Sequence, residues 1–312
     1  MSDLIPVRVA EIEQISSIIK QFTFVADEKP LPPFSAGSHV VVQMEGEGKR
    51  FRNAYSLISN PADSSHYRIA VRLQERSRGG SQFMHGEFRP GDRLFISPPA
   101  NMFLPDWQAR HHILIAGGIG ITPFLSYGYE LEQRQASFEV HYVYRNAETG
   151  AFREALTERF GNRLYCYSGE RPDFYTLLGH QPLGTHVYVC GPEAMIQDVK
   201  ATASALGWSP QRVHYEAFTA PQPGKPFVAR LSRSQQDVAV AGDTPLLDAL
   251  EAHGLEIPNM CRGGVCGQCK TSVVDGDIEH RDAFLDDQEK ASQRCIMPCV
   301  SRSASDYLVL DL

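Results

Sequence analysis

At about 150 residues per domain, the chain of 312 residues has room for two or three domains, which excludes a single small module. Hydrophobic residues make up 42% and charged residues 21%, and no apolar run approaches the ~18 residues of a membrane span, so we expect a soluble, globular protein. The net charge of −7 argues against nucleic acid or an anionic membrane as a partner. The first residues lack a secretory signal, so we expect a cytoplasmic location.

The first hundred residues alternate short β-rich runs with turn residues, which predicts an antiparallel barrel or sandwich. Only the stretch from Gly80 to Phe88 resembles a helix. The run Arg52-Asn53-Ala54-Tyr55-Ser56-Leu57 places an aromatic ring beside a hydroxyl, a pair that suits a flat heterocycle. Arg78-Gly79-Gly80-Ser81 at the helix start offers an anion site, with Arg72 or Arg78 nearby. Taken alone, the first run is an ordinary half-buried strand.

From His111 onward, strands alternate with helices, which predicts a parallel sheet with crossover helices. The loop AGGIGITP, residues 116–123, follows a strand and opens a helix, and its glycines would let the backbone approach a pyrophosphate. A plain strand-to-helix turn explains this loop equally well. The later element CGPEAM, residues 190–195, favours a nucleotide site, because this element and the loop 116–123 would both lie at the carboxyl edge of the sheet.

The segment TAPQPGKP, residues 219–226, has the composition of a linker. A third unit follows, with β-like runs, a helix predicted to start near Asp243-Thr244-Pro245, and a terminal strand. The acid-rich stretch from Asp275 to Glu289 is interpreted as solvated surface.

The strongest motif is Cys261-x4-Cys266-x2-Cys269, with glycines between the thiols. This spacing is that of plant-type 2Fe–2S clusters, in which a distant cysteine supplies the fourth ligand. Either Cys299 or Cys295 could be that ligand; we prefer Cys299, which precedes the return to the last strand. The alternatives are a zinc knuckle and a set of unrelated buried cysteines; zinc motifs favour paired C-x2-C clips, and only one such clip is present.

With these motifs in this order, the whole chain resembles the phthalate dioxygenase reductase family. The ending HRDAFLDDQEKASQRCIMPCVSRS is particularly specific, and NAYSLISNP and IAGGIGITPFLS are most similar to reductase components of carnitine and related quaternary-amine monooxygenases. The resemblance implies a multidomain protein with an antiparallel β-barrel flavin domain (1–105), an α/β parallel-sheet NADH domain (106–222) and an α+β (β-grasp) 2Fe–2S ferredoxin domain (223–312).

The resemblance also implies which residues bind each cofactor. Cys261, Cys266, Cys269 and Cys299 would hold the cluster. The flavin would be FMN, with FAD as the alternative. The flavin and NADH contacts would come from Arg52, Tyr55, Ser56, Ala70, Val71, Arg72, Arg78, Gly79, Gly80, Ser81, Gly117, Gly118, Gly120, Thr122, Cys190, Gly191, Pro192 and Phe218. Asn53 departs from the family pattern, which usually has Arg two residues before the Tyr.

The implied function is electron transfer from NADH through the flavin and the cluster to a Rieske-type oxygenase, with no catalytic acid, base or nucleophile. NADH is favoured over NADPH because Glu148, after the second α/β strand, would repel a 2′-phosphate. A free-standing flavin reductase and a protein with structural zinc are the alternatives. Residues 227–312 carry 14 acidic and 8 basic side chains, a net charge of −6, which favours docking to a basic surface.

Overall fold

The computed structural model describes residues 4–27, 29–46, 49–74, 79–218 and 222–312. The chain divides into two compact units, residues 2–218 and residues 219–312. The first unit contains two sheets and the second contains the remaining strands. No described helix is long and apolar enough to cross a membrane.

The first sheet of residues 2–218 is the predicted antiparallel barrel. Its strands follow the order β4-β3-β6-β1-β2-β5, and a bridge between Leu57 and Ile69 joins the two ends of this path and closes the barrel. Apolar residues alternate along β3, so that Val40, Val42 and Met44 fill the interior. The elements are β1 (Ile5–Ser16), β2 (Ile19–Val25), β3 (Ser38–Gly46), β4 (Lys49–Ser56), β5 (Tyr67–Arg72), α1 (Gly80–Gly86), β6 (Arg93–Ile96) and β7 (Ala100–Asn101).

The second sheet of this unit is parallel throughout, as predicted, with the order β10-β9-β8-β11-β12. Helix α4 was not predicted, although Asp173 caps it by accepting a hydrogen bond from the Tyr175 amide. The elements are β8 (His111–Gly117), α2 (Thr122–Gln133), β9 (Phe138–Tyr144), α3 (Arg153–Phe160), β10 (Leu164–Ser168), α4 (Phe174–Gly179), β11 (Thr185–Gly191), α5 (Glu193–Ala205) and β12 (Val213–Ala217), with 3-10 turns at Gly118–Ile121, Gly161–Arg163 and Pro210–Arg212.

The second unit has a five-stranded mixed sheet of order β14-β13-β19-β15-β17, in which β13 and β19 are parallel. Helix α6 packs on it through Leu246 and Leu250, which confirms the α+β class. The elements are β13 (Phe227–Leu231), β14 (Gln236–Val240), α6 (Leu246–Ala252), β15 (Thr271–Asp275), β16 (Ile278–Glu279), α7 (Asp287–Ser292), β17 (Cys295–Ile296), β18 (Arg302–Ser303) and β19 (Tyr307–Leu310).

Helix α6 begins at Leu246, next to its predicted start, with Pro245 at the N-cap and no side-chain cap. Helix α7 lies partly in the stretch interpreted as plain solvated surface. It starts with a capping box, in which the Asp286 carboxylate accepts from the Glu289 amide at 2.7 Å and Glu289 accepts from the Asp286 amide at 3.1 Å. The D-x-x-E spacing was a signal that could have predicted this helix.

The predicted linker is in part bound to the second unit. The Arg281 guanidinium donates to the carbonyl oxygens of Gln222 and Pro223, and the Arg302 guanidinium donates to that of Lys225 at 3.1 Å. The Gly224 amide donates to the Gly242 carbonyl at 2.9 Å. Residues 222–225 are therefore part of this unit, and residues 219–221 lie outside the described residues.

Candidate cofactor sites

The loop 261–269 and the segment after β17 bring four thiols together as two pairs. The Cys269 and Cys299 sulfurs lie 3.3 Å apart, and the thiols of Cys261 and Cys266 are hydrogen-bonded to each other. Among the described residues, no group of three or more His, Cys, Asp or Glu side chains could hold a single metal ion. Four cysteine thiolates are the ligand set of a plant-type 2Fe–2S cluster, and these two pairs supply it.

The loop backbone directs amide groups at the sulfurs. Arg262, Gly264 and Gly267 have φ angles of 49°, 75° and 75°, which turn the chain sharply between the cysteines. The Gly263 amide donates to the Cys261 sulfur at 3.3 Å. The hydrogen bond from Cys266 and the backbone amides lower the pKa of Cys261, while the same thiol contact raises the pKa of Cys266.

Cys295 lies apart from these pairs. It is in β17, paired with Ser272 of β15, and its side chain is buried. Burial raises its pKa, and the charged groups that influence it are Lys270, Glu289 and Asp282. The structure thus brings Cys299, and not Cys295, to the cysteine loop.

Arg262 ties the cysteine loop to helix α6, a role that no sequence motif indicated. Its guanidinium donates to the carboxylate of Asp248 at 2.7 Å and also to that of Glu251, both on α6. The side chain is only 7% exposed, so these ion pairs are shielded from water. The first turn after Cys261 is therefore fixed to the helix that packs on the sheet.

In the barrel, Asn53 and Tyr55 share one face of β4 because they are two positions apart, and they pair with Val42 and Val40 of β3. Arg52 pairs with Gln43 and lies on the opposite face. Ser56 is buried at the end of the strand. The predicted Arg52 contact therefore does not share a strand face with Tyr55.

The start of α1 packs closely against β4. A Cβ atom at Gly79 would lie 2.7 Å from the Phe51 ring, and one at Gly80 would lie 2.4 Å from the Asn53 amide nitrogen. Gly79 has a φ angle of 114°, which favours glycine. These two predicted flavin residues are thus required for the close approach of the helix to the strand.

The end of β5 contributes the remaining predicted flavin residues. Ala70 and Val71 are buried, and the Arg72 Nε is buried without a hydrogen-bond partner among the described residues. Such a buried cationic donor suits an anionic group of a flavin. The Ser81 hydroxyl accepts from the Gln74 amide at 3.2 Å, while the predicted Arg78 lies outside the described residues.

His85 and Lys20 position α1 beside β5, and sequence reasoning missed both. The His85 Nε2 lies 2.8 Å from the Val71 carbonyl oxygen, and the Lys20 ammonium donates to the His85 carbonyl at 2.8 Å. Burial lowers the pKa of His85, so the ring is favoured in its neutral form.

The two glycine-rich elements of the α/β sheet meet at its carboxyl edge. A Cβ atom at Gly191 would lie 2.9 Å from the Gly117 Cα, and one at Gly117 would lie 2.6 Å from the Pro192 Cδ. A Cβ atom at Gly120 would lie 2.2 Å from the Cys190 carbonyl oxygen. Any side chain there would force the two loops apart, so the glycines allow the backbone approach that a dinucleotide site needs.

The other predicted residues of this edge have different surroundings. Gly118 adopts a φ angle of 54°, and Thr122 is buried with its hydroxyl donating to the Ile119 carbonyl at 3.0 Å. Burial raises the pKa of Cys190 well above its usual value, which favours the neutral thiol. Phe218 follows β12 and is 45% exposed, which leaves its ring free to cover a bound group.

The Glu148 carboxylate, which we expected to face the nucleotide, is instead hydrogen-bonded to another part of the chain. Its carboxylate accepts a hydrogen bond from the Ser17 hydroxyl, and its carbonyl accepts one from Ser16 at 2.8 Å. The turn between β1 and β2 therefore holds this residue. Because its carboxylate is engaged there, the charge of Glu148 no longer supports a preference for NADH over NADPH.

Three family models cover most of the chain. Residues 6–103 match the oxidoreductase FAD-binding domain, and residues 230–304 match the 2Fe-2S iron-sulfur cluster binding domain. Residues 96–213 match the N-terminal domain of the dimethylamine monooxygenase subunit DmmA-like family.

Similar proteins and structures cover the full length. The chain is 52% identical to the heme-dependent oxidative N-demethylase beta subunit of Ectopseudomonas mendocina (strain ymp), over 100% of both chains. It is 42% identical to the carnitine monooxygenase reductase subunit of Escherichia coli (strain K12), again over 100% of both. The solved structure of phthalate dioxygenase reductase superposes with a TM-score of 0.89 at 34% identity, covering 99% of this chain and 98% of that one.

Proposed function

The chain belongs to the phthalate dioxygenase reductase family, and we propose that it delivers electrons from NADH to a separate oxygenase that removes an alkyl group from an amine. It is an oxidoreductase that uses a flavin, NAD(H) and a 2Fe–2S cluster, as the reductase component of an oxygenase system. We propose FMN as the flavin. A cytoplasmic location suits the seven free thiols, which a reducing compartment protects.

The observation that carries this proposal is the arrangement of Cys261, Cys266, Cys269 and Cys299 as two thiol pairs with amide groups directed at their sulfurs. NADH supplies two electrons, a flavin exchanges one or two, and a 2Fe–2S cluster carries one at a time. A chain that combines all three sites therefore converts a two-electron donor into single-electron deliveries.

The side chains bind and orient the cofactors, and none is needed as an acid, base or nucleophile. Tyr55, Ser56 and the Arg72 guanidinium, whose Nε is buried, would hold the flavin beside α1. The glycines at 117, 118, 120 and 191 leave room for the pyrophosphate of NADH. The exposed ring of Phe218 would cover the position that the nicotinamide must enter.

The relatives support an amine as the substrate of the partner oxygenase. The relatives at 52% and 42% identity are named for N-demethylation and for carnitine, whereas the vanillate O-demethylase oxidoreductase of Acinetobacter baylyi (strain ATCC 33305 / BD413 / ADP1) is 36% identical. A Rieske-type oxygenase is the partner implied by the family resemblance. A heme-dependent oxygenase is the second candidate, because the relative at 52% identity is named as heme-dependent.

Reconstitution tests the proposal. The full chain is mixed with NADH, oxygen, an alkylamine and either a Rieske-type or a heme-dependent amine oxygenase, and formaldehyde and NADH consumption are measured. We expect substrate-dependent turnover with one of them. The Cys299→Ser variant is the matched control, because it should still reduce small dyes with NADH while the oxygenase receives no electrons.

Two other outcomes would contradict the proposal. Equal turnover by the Cys299→Ser variant would indicate a free-standing flavin reductase that serves diffusible acceptors. A freshly purified protein without the visible absorption of flavin and 2Fe–2S would favour structural zinc.

A further inference from the structure

Asn53 stands where the family pattern has an arginine, and the role argued for it rests on the proposed flavin site. Asn53 and Tyr55 point to the same side of β4, two positions apart. The Asn53 Nδ2 donates a hydrogen bond to the Tyr55 phenol oxygen at 3.0 Å. The side chain at this position therefore acts on its neighbour in the same strand.

The direction of this hydrogen bond determines what the phenol offers to a ligand. An amide nitrogen only donates, so the phenol oxygen is the acceptor and keeps its own proton for another contact. Burial raises the pKa of Tyr55 to about 12, although the Asn53 hydrogen bond lowers it. The phenol is therefore protonated at any physiological pH.

The amide of Asn53 is held in place from its other side. A Cβ atom at Gly80 would lie 2.4 Å from Asn53 Nδ2 and 3.1 Å from Oδ1, so the first residue of α1 lies directly against the amide. Between Gly80 and Tyr55 the amide has little room to rotate. Its N–H group is thus aimed at the phenol by packing as well as by the hydrogen bond.

We propose that Asn53 is a positioning residue, which occupies the acceptor side of the Tyr55 hydroxyl so that this hydroxyl donates its proton to the bound flavin. Asn53 in this role sets the polarity of a hydrogen bond and supplies no charge.

Asn53→Asp is the sharpest test because it keeps the shape and reverses the hydrogen bond. An aspartate carboxylate accepts the phenol proton, so Tyr55 no longer donates it to the flavin. We expect the flavin Kd, measured by fluorescence titration of the apoprotein with FMN, to rise about tenfold, the loss of one hydrogen bond. Asn53→Ala should give a smaller rise, because the phenol then loses its partner but can still donate.

A double-mutant cycle separates positioning from a structural role. Tyr55→Phe should weaken flavin binding by a similar factor, and Asn53→Asp added to Tyr55→Phe should cause little further loss. An unchanged Kd in Asn53→Asp, or losses that multiply in the double variant, would overturn the inference.

Two controls make the result decisive. Gln21→Ala removes an amide on β2 of the same barrel, where it binds Glu13 at 3.0 Å, and should leave the flavin Kd unchanged. The 2Fe–2S absorption reports in every variant that the chain is folded. If the wild-type protein binds no flavin, the proposed function fails; if it binds flavin and the variants bind it equally well, only the role of Asn53 fails.

Discussion

The sulfur atoms of Cys269 and Cys299 lie 3.3 Å apart, although 30 positions separate the two residues in the sequence. Cys269 belongs to the tight loop between α6 and β15, and Cys299 follows β17. The antiparallel pairing of β15 with β17 brings these segments together. This strand pairing therefore places the fourth thiol, that of Cys299, beside the cysteine loop.

This pairing predicts different outcomes for two serine variants. Cys299→Ser should abolish or greatly reduce the 2Fe–2S absorption and circular dichroism, because it removes one member of a thiol pair. Cys295→Ser should keep the spectrum, since Cys295 lies apart in β17. Iron and sulfide analysis checks both. A cluster that survives in Cys299→Ser and is lost in Cys295→Ser would reassign the fourth ligand.

Arg262→Gln should make the cluster much more labile. It leaves the Asp248 and Glu251 carboxylates without their buried cation, and breaking such a pair costs about 3–5 kcal/mol. The temperature at which the 2Fe–2S absorption bleaches should fall clearly, while the flavin stays bound. Arg233→Gln is the control, because its ion pair with Asp311 is at the surface and should matter little. Equal bleaching temperatures for the wild type and Arg262→Gln would refute this role.

Gly120→Ala should impair NADH binding selectively. The new methyl group would lie 2.2 Å from the Cys190 carbonyl oxygen, so the two glycine-rich loops must separate. We expect KM for NADH to rise about tenfold, which corresponds to ~1.4 kcal/mol, with flavin and cluster content unchanged. Gly179→Ala, whose methyl group would have no atom closer than 4.0 Å, should behave as the wild type. Steady-state kinetics with a dye acceptor provide the comparison.

Electron delivery to the oxygenase should depend on ionic strength. The cysteine loop adjoins an acidic segment, since Ala283 donates to the Gly264 carbonyl at 3.1 Å and Asp286 and Asp287 follow on the surface. Raising ionic strength from 0.01 to 0.15 M shortens the Debye length from ~30 to ~8 Å, so we expect a clear loss of rate. Reduction of a small neutral dye by NADH is the internal control. Asp286→Lys should weaken the salt effect more than Asp237→Lys on β14, and a rate that is independent of salt would exclude steering.

His214 should make the first unit less stable in mild acid. Burial, together with the neighbouring His186 at 3.0 Å, lowers its pKa from 6.5 to about 4. Between pH 6.5 and 4 the unfolded chain therefore binds a proton that the folded chain does not, so stability falls as the pH falls and the loss is complete below pH 4. At pH 5 we expect the free energy of unfolding to be lower by about 1–2 kcal/mol than at neutral pH because of this residue.

His214→Phe isolates this effect, because phenylalanine can keep the stacking on Tyr188, whose ring centroid lies 4.4 Å away. The temperature of flavin release should drop less between pH 7 and pH 5 in this variant than in the wild type. A histidine with a lowered pKa that His214 does not influence, such as His85, is present in both proteins and cancels in the difference. Identical drops in the two proteins would contradict the assignment to His214.

Local patterns in the sequence determined the order of the barrel, the parallel sheet and the cysteine-rich unit. Short β-rich runs between turn residues, alternating strands and helices, and the C-x4-C-x2-C spacing are all patterns of residues close together in the sequence, so each can be recognised without the fold. The glycines of the two nucleotide loops were identified for the same reason. The capping box of α7 had an equally local signal that was overlooked.

Only the tertiary structure decided the features that depend on distant segments or on strand register. The pairing of β15 with β17 separates Cys299 from Cys295, which spacing alone leaves equivalent. Alternation along β4 already separates Arg52 from Asn53 and Tyr55, but only the register with β3 decides that the face of Asn53 and Tyr55 is the one shared with Val42 and Val40. Arg281 and Arg302 bind residues 222–225 through backbone carbonyls, contacts that composition cannot indicate, because a carbonyl oxygen is the same in every residue.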